Sequence, residues 1–449
     1  MGRLFGTDGV RGIANEELTS ELALKMGRAV AEVLTDSQNK KVKVMIGMDT
    51  RISCDMLACG LAAGLCSVGA DVLILGVVPT PAVSYLVDHY KYDAGIMISA
   101  SHNSFEFNGI KIFKSDGYKL DDSIEDEIEK IILGEKSETE LKLNEEIGRV
   151  SFATDEIDNY IDHIVSCFDG KKKNLKIALD TANGSSSICA EKIFRKLGFD
   201  VLVINDKPNG ININDKAGST HIEALQKFVK ENNCDLGYAF DGDADRIIAV
   251  DENGDEVDGD KIISICSLYL REQNKLNKDT AVVTVMSNMG FFKFAEENDI
   301  NCVKTKVGDR YVLEEMLKEN YSIGGEQSGH VIFLDRACTG DGELTGVILL
   351  SAITYFDKSL SELAKVMKKY PQVLVNVTVS PEGKEKFPED TEIKNQIDKV
   401  EKELGDTGRI LVRISGTEPL IRVMLEGSDH DQIEKLANET AEIIKEKLC

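Results

Sequence analysis

Short apolar runs recur along the chain, separated by helix-like stretches, and several stop at clusters of small polar residues. The first set opens with VKVMIGMD (Val42–Asp49). A helix-like run follows through Cys66, then the strand DVLILG (Asp71–Gly76), the turn VVPTP, a helix over Ala82–His89 and a strand ending at Ser101. The second set opens with LKIALDTANG (Leu175–Gly184), continues through a helix to Leu197 and has a strand DVLVIND (Asp200–Asp206). After a looped stretch and a helix over His221–Asn232, its last strand, LGYAF, ends in DGDADR (Asp241–Arg246). The third set runs from AVVTVMSN (Ala281–Asn288) through a helix to Glu297 and the strand NCVKTKVGDR (Asn301–Arg310). A helix through Leu317 then leads to SIGGEQSGH (Ser322–His330).

Each set reads strand–helix–strand–helix–strand–loop, which predicts parallel pairing and helices on both faces of a sheet. Ligands of open α/β sheets bind beyond the carboxyl ends of the strands. The three closing loops carry Ser101, the aspartates of DGDADR and Glu326–His330 at equivalent places, so a common cleft is expected. The tail differs. Lys369-Tyr370-Pro371 ends a helix, and VLVNVTV (Val373–Val379), a helix over Glu392–Leu404, RILVRIS, GTEP, LIRVMLEG and a last helix predict an antiparallel α+β domain. The expected fold is therefore three similar α/β domains with mixed, mainly parallel sheets plus a C-terminal α+β domain, arranged around a central cleft. Its expected boundaries are 1–150, 151–254, 255–368 and 369–449. The acidic stretch from Gly134 to Gly148 reads as a mobile connection.

Composition narrows the function classes. A chain of 449 residues that is 42% hydrophobic can build real cores. No apolar run approaches the roughly 20 residues of a membrane span, and the Gly-rich, charged start MGRLFGTDGVRG does not read as a signal peptide. The ten cysteines are scattered without a C-x-x-C pair, so reduced thiols in a cytoplasmic protein are expected rather than zinc or a disulfide framework. With 53 basic and 78 acidic residues the net charge is −25, which argues against a nucleic-acid partner. An anionic substrate would need a locally basic site.

Candidate chemistry lies in the loops. In IMISASHNSFEFNGIKIF (Ile96–Phe113), the group Ser99, Ser101, His102 and Asn103 ends a strand and exposes N–H groups and hydroxyls. Such a loop can hold a phosphate or present a hydroxyl that becomes one; the plainer reading is a helix cap by Ser101 or Asn103. Asp241, Asp243 and Asp245 would repel one another without a cation, and oxygen-only ligands select a hard divalent ion such as Mg2+. An EF-hand is excluded because Arg246 stands where its loop needs glycine, and IIAV follows as a strand. A phosphoryl group on Ser101 would supply the further anionic ligand such an ion recruits. In GGEQSGH, the glycines allow close backbone approach, while Glu326, Ser328 and His330 suit a sugar; a plain hairpin turn is the alternative. In RISGTEPLIR, Ser415, Thr417, Arg413 and Arg422 suit a phosphate dianion, or are a solvated surface turn. Arg11 and Lys111 are, taken singly, solvated charges.

Read together, FGTDGVRG, ISASHN, DGDADR, VGDR, GEQSGH, TGDGE and RISGTEPLIRVMLEG, in order from Phe5 to Gly427, resemble the α-D-phosphohexomutases, in particular those acting on glucosamine phosphates. The resemblance implies four domains around one cleft. It also implies a phosphoserine enzyme that interconverts glucosamine 6-phosphate and glucosamine 1-phosphate through a sugar 1,6-bisphosphate, supplying amino-sugar nucleotides for cell-wall precursors. One Mg2+ per chain would sit on phosphorylated Ser101, Asp241, Asp243 and Asp245. Lys111 and His330 would transfer protons, with Arg246 supporting the transferring charge. Arg11 and His102 would line the phosphoserine pocket, Glu326, Ser328 and His330 the sugar. Arg413, Ser415, Gly416, Thr417 and Arg422 would hold the distal phosphate. The implied partner is a hexosamine phosphate, with neither nucleic acid nor membrane; a homodimer is allowed. The chain departs from the family pattern at Ser104, usually Pro, and Ala244, often Gly. The alternative is a phosphoglucomutase or phosphomannomutase of the same fold. A Mg2+-dependent phosphatase and a non-catalytic sugar-phosphate sensor are the readings from other classes.

Overall fold

A computed structural model describes residues 4–6, 8–34, 41–136, 140–415 and 419–449. By contacts the chain forms two units, Met1–Met286 with Ile300–Val366, and Ser287–Asp299 with Met367–Cys449. Among the described residues no helix is long and apolar enough to cross a membrane.

The first unit contains strands β1 (Val10–Ile13), β2 (Lys43–Met48), β3 (Asp71–Val77), β4 (Ala94–Ile98), β5 (Phe107–Lys114) and β6 (Val150–Phe152), ordered β1-β5-β4-β2-β3-β6 in one sheet. A second sheet is built from β7 (Lys176–Asp180), β8 (Asp200–Ile204), β9 (Leu236–Phe240), β10 (Ile247–Asp251) and β11 (Glu256–Val257), in the order β11-β10-β9-β7-β8. A third contains β12 (Thr280–Thr284), β13 (Asn301–Thr305), β14 (Ile323–Gly325) and β15 (Val331–Phe333), ordered β13-β12-β14-β15.

One design repeats. In each sheet the first strand of the set runs parallel to the other two, and a fourth strand returns antiparallel beside the third: β4–β5, β9–β10 and β14–β15. The expected strand–helix–strand–helix–strand pattern thus accounts for the parallel trio, and the antiparallel returns make the sheets mixed. Strands β4 and β9 are buried at every position, as their unbroken apolar runs require. Under the first sheet, helix Ser20–Leu34 meets helix Cys54–Ser67 almost backbone to backbone. A Cβ on Gly64 would lie 2.1 Å from the Leu24 carbonyl oxygen, so only glycine fits there.

Two expectations change. The strand expected over Asn301–Arg310 ends at Thr305, because Gly308 turns the chain at a φ of 129° and Asp309 opens the helix Asp309–Glu319. The acidic side chain is favoured at that positive helix end. The stretch read as a mobile connection is tied down where it is described: Lys142 N donates to Ser67 O at 3.0 Å and Gly148 N to Cys66 O at 2.9 Å.

The second unit carries β16 (Gln372–Thr378), β17 (Gly408–Ile414) and β18 (Leu420–Gly427) in the antiparallel order β16-β18-β17. Ile421, Val423 and Leu425 pack with Ile433, Ala437 and Ile444 of the helix His430–Leu448. Helix Met289–Glu297 belongs to this unit: buried Glu426 accepts from Met289 N at 2.7 Å and pairs with Arg409 Nε at 2.7 Å.

Behind the second hairpin of the first unit lies a buried acid pair. Asp341 caps helix Gly342–Phe356, and Tyr160 Oη, with one proton to give, lies within hydrogen-bond distance of Asp341 Oδ2 (3.0 Å) and Glu343 Oε2 (2.8 Å). Cys189 Sγ donates to Glu343 Oε1 at 2.9 Å. Burial pushes the Asp341 carboxyl up to about 7; burial and then Asp341 push Glu343 up to about 8. Both stay protonated in the folded chain over a range where the unfolded chain has released them, above about pH 4. Folding therefore binds protons between about pH 4 and pH 8, and this contribution to stability is lost as pH rises through that window. Glu343→Gln removes one of the protons. Urea unfolding from pH 5 to 8 should lose less stability in this variant than in the unmutated chain, by up to about 1.4 kcal/mol per pH unit. Parallel curves for the two proteins would show that Glu343 is ionised in the folded state.

Candidate active site

The loops closing the three sets sit in the hairpins β4–β5, β9–β10 and β14–β15, and the first two meet directly. Ser101 Oγ donates to Asp241 Oδ2 at 2.6 Å. Ser101 holds a φ of 53°, a left-handed conformation that costs a non-glycine residue about 1–2 kcal/mol. Its neighbours hold it there. Its N–H donates to Ser99 Oγ at 2.9 Å, and Ser99 Oγ donates to Asp49 Oδ2 at 2.6 Å. Its carbonyl accepts from Arg51 Nη2 at 3.0 Å and Asn214 Nδ2 at 2.9 Å. Arg51 also pairs with Asp49 at 2.9 Å and donates to the carbonyls of Asn103 and Ser104. A strained backbone conformation held by so many contacts motivates a functional reading of this position.

Asp241, Asp243 and Asp245 are buried, with one oxygen of each within 4.8 Å of the others. Asp243 Oδ1 and Asp245 Oδ1 are buried without a hydrogen-bond partner. Burial, then the charges of Asp245 and Asp243, push the Asp241 carboxyl well above the usual carboxylate range. Burial also acts on Asp243, but Lys111 and Thr80 outweigh it and hold that carboxyl at about 2. Thr80 Oγ1 donates to Asp243 Oδ2 at 2.6 Å and Thr80 N to the Asp243 carbonyl at 2.9 Å. Orphaned oxygens and mutual repulsion fit a hard divalent cation among these three residues. Ala244, between two of them, has a φ of 58°. The position where the family often has glycine therefore uses a left-handed backbone, and alanine carries the strain.

Basic side chains surround this cluster. Lys111 Nζ lies 2.9 Å from Asp243 Oδ2, 3.2 Å from Asp8 Oδ2 and 3.6 Å from Asp245 Oδ2. Burial opposes its charge, but the three carboxylates, Asp243 first, raise its pKa. Arg11 pairs with Asp8. Arg246 Nε lies 3.7 Å from Asp245 Oδ1, and its backbone bridges His330 across two hairpins. His102 Nδ1 is 3.3 Å from Ser101 Oγ; burial, then Arg246 and Arg11, lower its pKa to about 4, so the ring is neutral at pH 7.

In the third hairpin, Glu326 N donates to the His330 carbonyl at 3.0 Å, and Glu326 Oε1 accepts from Gly308 N at 3.1 Å. Ser328 is exposed. His330 is buried with neither ring nitrogen hydrogen-bonded, and Gly340 packs so tightly on the ring that a Cβ there would meet Nε2 at 2.4 Å. The structure thus links Ser101, His102, Lys111, the three aspartates, Arg246 and His330 in one region of the first unit. Arg413, Ser415 and Arg422 lie in the second unit. Arg413 stands opposite Arg422 across β17–β18, and burial, then Arg422, lower its pKa. Lys384 Nζ donates to the Ser415 carbonyl at 3.0 Å. Gly416 and Thr417 lie outside the described residues.

Reading the sequence missed Asp8, Asp49, Arg51, Thr80 and Asn214. Asp8 stands inside the FGTDGVRG motif, and Asp49 and Arg51 follow a strand end, so a signal was there. Asn214, in a long loop, gives none.

Comparison with known proteins gives the family. Four models of phosphoglucomutase/phosphomannomutase match: alpha/beta/alpha domain I over residues 2–139, domain II over 158–254, domain III over 258–370 and the C-terminal domain over 374–443. A phosphoglucosamine mutase of Acetivibrio thermocellus is 56% identical over 448 residues, covering 100% of both chains. One of Clostridium acetobutylicum is 55% identical over 447 residues with the same coverage. A phosphoglucomutase/phosphomannomutase family structure from Burkholderia thailandensis superposes with a TM-score of 0.83 at 22% identity, covering 99% of this chain and 98% of that one. The N-acetylphosphoglucosamine mutase of Aspergillus fumigatus, solved with GlcNAc-6P and magnesium, gives 0.68 at 16% identity, covering 99% and 96%. On this breadth of similarity, the chain belongs to the phosphoglucomutase/phosphomannomutase family, in its phosphoglucosamine mutase group.

Proposed function

We propose that the chain interconverts glucosamine 6-phosphate and glucosamine 1-phosphate by way of a phosphoryl group carried on Ser101. The observation that carries this reading is the 2.6 Å hydrogen bond from the Ser101 hydroxyl into a carboxylate cluster suited to a cation. The full-length similarity to phosphoglucosamine mutases supports the choice of sugar.

In the first half-reaction the Oγ–P bond of phospho-Ser101 breaks as a P–O1 bond forms on glucosamine 6-phosphate. The 1,6-bisphosphate then turns over, its O6–P bond breaks and the phosphoryl group returns to Ser101. Mg2+ is the ion assigned to Asp241, Asp243, Asp245 and phosphorylated Ser101, where it would neutralise phosphoryl charge. Lys111, held as a cation by Asp243 and Asp8, and Arg246 supply fixed positive charge beside it. Arg11 and neutral His102 flank the serine. Proton exchange at the sugar hydroxyls falls to His330, since Lys111 is already committed to carboxylates. Glu326 and Ser328 would bind ring hydroxyls. Arg413, Ser415, Gly416, Thr417 and Arg422 would bind the non-reacting phosphate, for which two arginines facing each other across a strand pair are suited.

Part of the purified protein should carry one phosphoryl group, mapped to Ser101 by mass spectrometry. Ser101→Ala should lose both that group and nearly all conversion of glucosamine 6-phosphate; an active Ser101→Ala variant would refute the covalent route.

The carboxylates need their cation, so excess chelator should stop turnover and added Mg2+ restore it, while Asp243→Asn stays inactive under both conditions. Unimpaired turnover in chelator would remove the metal assignment.

Glu326 distinguishes two kinds of sugar recognition. A charge-assisted hydrogen bond is worth about 1.5–3 kcal/mol, so Glu326→Gln should lower kcat/KM roughly ten- to 150-fold. If the carboxylate reads hydroxyls, glucosamine 6-phosphate and glucose 6-phosphate should suffer alike, which is the outcome expected. A loss confined to the amino sugar would make Glu326 the reader of the 2-ammonium group.

A further inference from the structure

Lys119 has no part in the chemistry assigned so far, yet it joins two segments that do. It follows β5, where it bridges Phe113, and its ammonium donates to Asp8 Oδ1 at 2.6 Å and to Asp309 Oδ2 at 2.7 Å. Asp8 leads back through its other oxygen to Lys111, at 3.2 Å. Asp309 leads forward: the same Oδ2 lies 3.7 Å from Nε2 of His330. Both ring nitrogens are buried without a hydrogen bond, and Gly340 packs against the ring.

The arrangement has a chemical logic. A neutral imidazole carries one N–H and one lone pair, and a carboxylate beside one nitrogen keeps the proton on that nitrogen. Burial opposes a charge on Asp309, but the Lys119 ammonium leads the charges that outweigh it and hold the carboxyl at about 2. Without the Lys119 ammonium, Asp8 and Asp309 would be two carboxylates turned toward one another, and Asp309 would leave its place beside His330. A gap of 3.7 Å is long for a hydrogen bond, as catalytic contacts often are before substrate binds.

We propose that Lys119 and Asp309 are positioning residues for His330: Lys119 anchors the Asp309 carboxylate, and Asp309 holds the imidazole with its proton on Nε2 and the Nδ1 lone pair free. Nδ1, buried in the substrate-free chain, takes the proton of O1–H as the P–O1 bond forms, once the bound sugar has brought O1 against it. It returns that proton to O6 when the O6–P bond breaks in the second half. Ser101 Oγ takes a proton from solvent water as it leaves and gives one back to solvent when it attacks, so both half-reactions balance. The kinetic part rests on the proposed mutase reading; the placement of the ring proton does not.

The test has two arms. With 15N-labelled imidazoles in the substrate-free protein, His330 can be assigned among six histidines by its loss in His330→Gln. Its tautomer should be Nε2–H in the unmutated chain and mixed in Lys119→Met and Asp309→Asn. An unchanged tautomer in Asp309→Asn overturns the proposal. In turnover, Lys119→Met should lower kcat by about 100-fold with KM moved less than about threefold, the size of an impaired acid–base group. Lys119→Arg, which keeps the charge, should recover most of the loss. Combined with His330→Gln, Lys119→Met should add nothing further. Additive losses, or a fall in kcat that tracks a lower melting temperature, would make Lys119 merely structural. An unmutated chain inert on glucosamine 6-phosphate would defeat the mutase reading while the tautomer arm still decides the positioning.

Discussion

Three buried carboxylates in five residues are the constraint around which the first unit is arranged. Asp241, Asp243 and Asp245 cannot all be charged in a buried hairpin without cations nearby. The surroundings answer this in layers. Thr80 from the first domain donates to Asp243, Lys111 from β5 places its ammonium against it, and Arg246 follows the cluster in sequence. Two carboxylate oxygens are still left over, as a site for a divalent ion requires. Thr80 and Lys111, in relieving the repulsion, also bring a second segment of chain to the same place, so the electrostatic problem and the assembly of the site share a solution.

The backbone follows the same economy. Each sheet ends its parallel trio in a hairpin whose tip carries polar residues, and the antiparallel return strand fixes where that tip stands. Ser101 and Ala244 both occupy left-handed conformations there, and each is held by a network rather than by its own preference. Arg51 is the clearest case. It satisfies carbonyls of Ser101, Asn103 and Ser104 while its charge is met by Asp49, so one buried ion pair shapes the loop that presents the serine. Behind the aspartate loop the opposite solution appears: Asp341 and Glu343 stay protonated and hydrogen-bonded, with Gly342 N donating to the Ala244 carbonyl at 3.0 Å. A charged pair there would add to the repulsion in front of it.

Much was legible before any coordinates. Alternation of apolar runs and helix-like stretches marks the α/β sets, because buried parallel strands must be apolar on both faces. The spacing of Asp241, Asp243 and Asp245 suggested a hard cation, and the structure gathers the three buried carboxylates where one could be held. The antiparallel C-terminal domain was readable from its alternating strands, and the ordered motifs pointed to the family. The expected strand through Arg310 went wrong at one glycine, whose positive φ lies outside what apolar patterning records.

What only the tertiary structure decided are the contacts between residues far apart in the chain. Ser101 meets Asp241 across 140 positions, Thr80 meets Asp243 across 163, and Lys119 meets Asp309 across 190. Local sequence fixes which elements form and which side chains stand at their ends, since propensity and hydrophobic period act over a few residues. Which ammonium neutralises which carboxylate, and which histidine is left with bare nitrogens, depends on how those ends are packed together, and packing is a property of the whole fold.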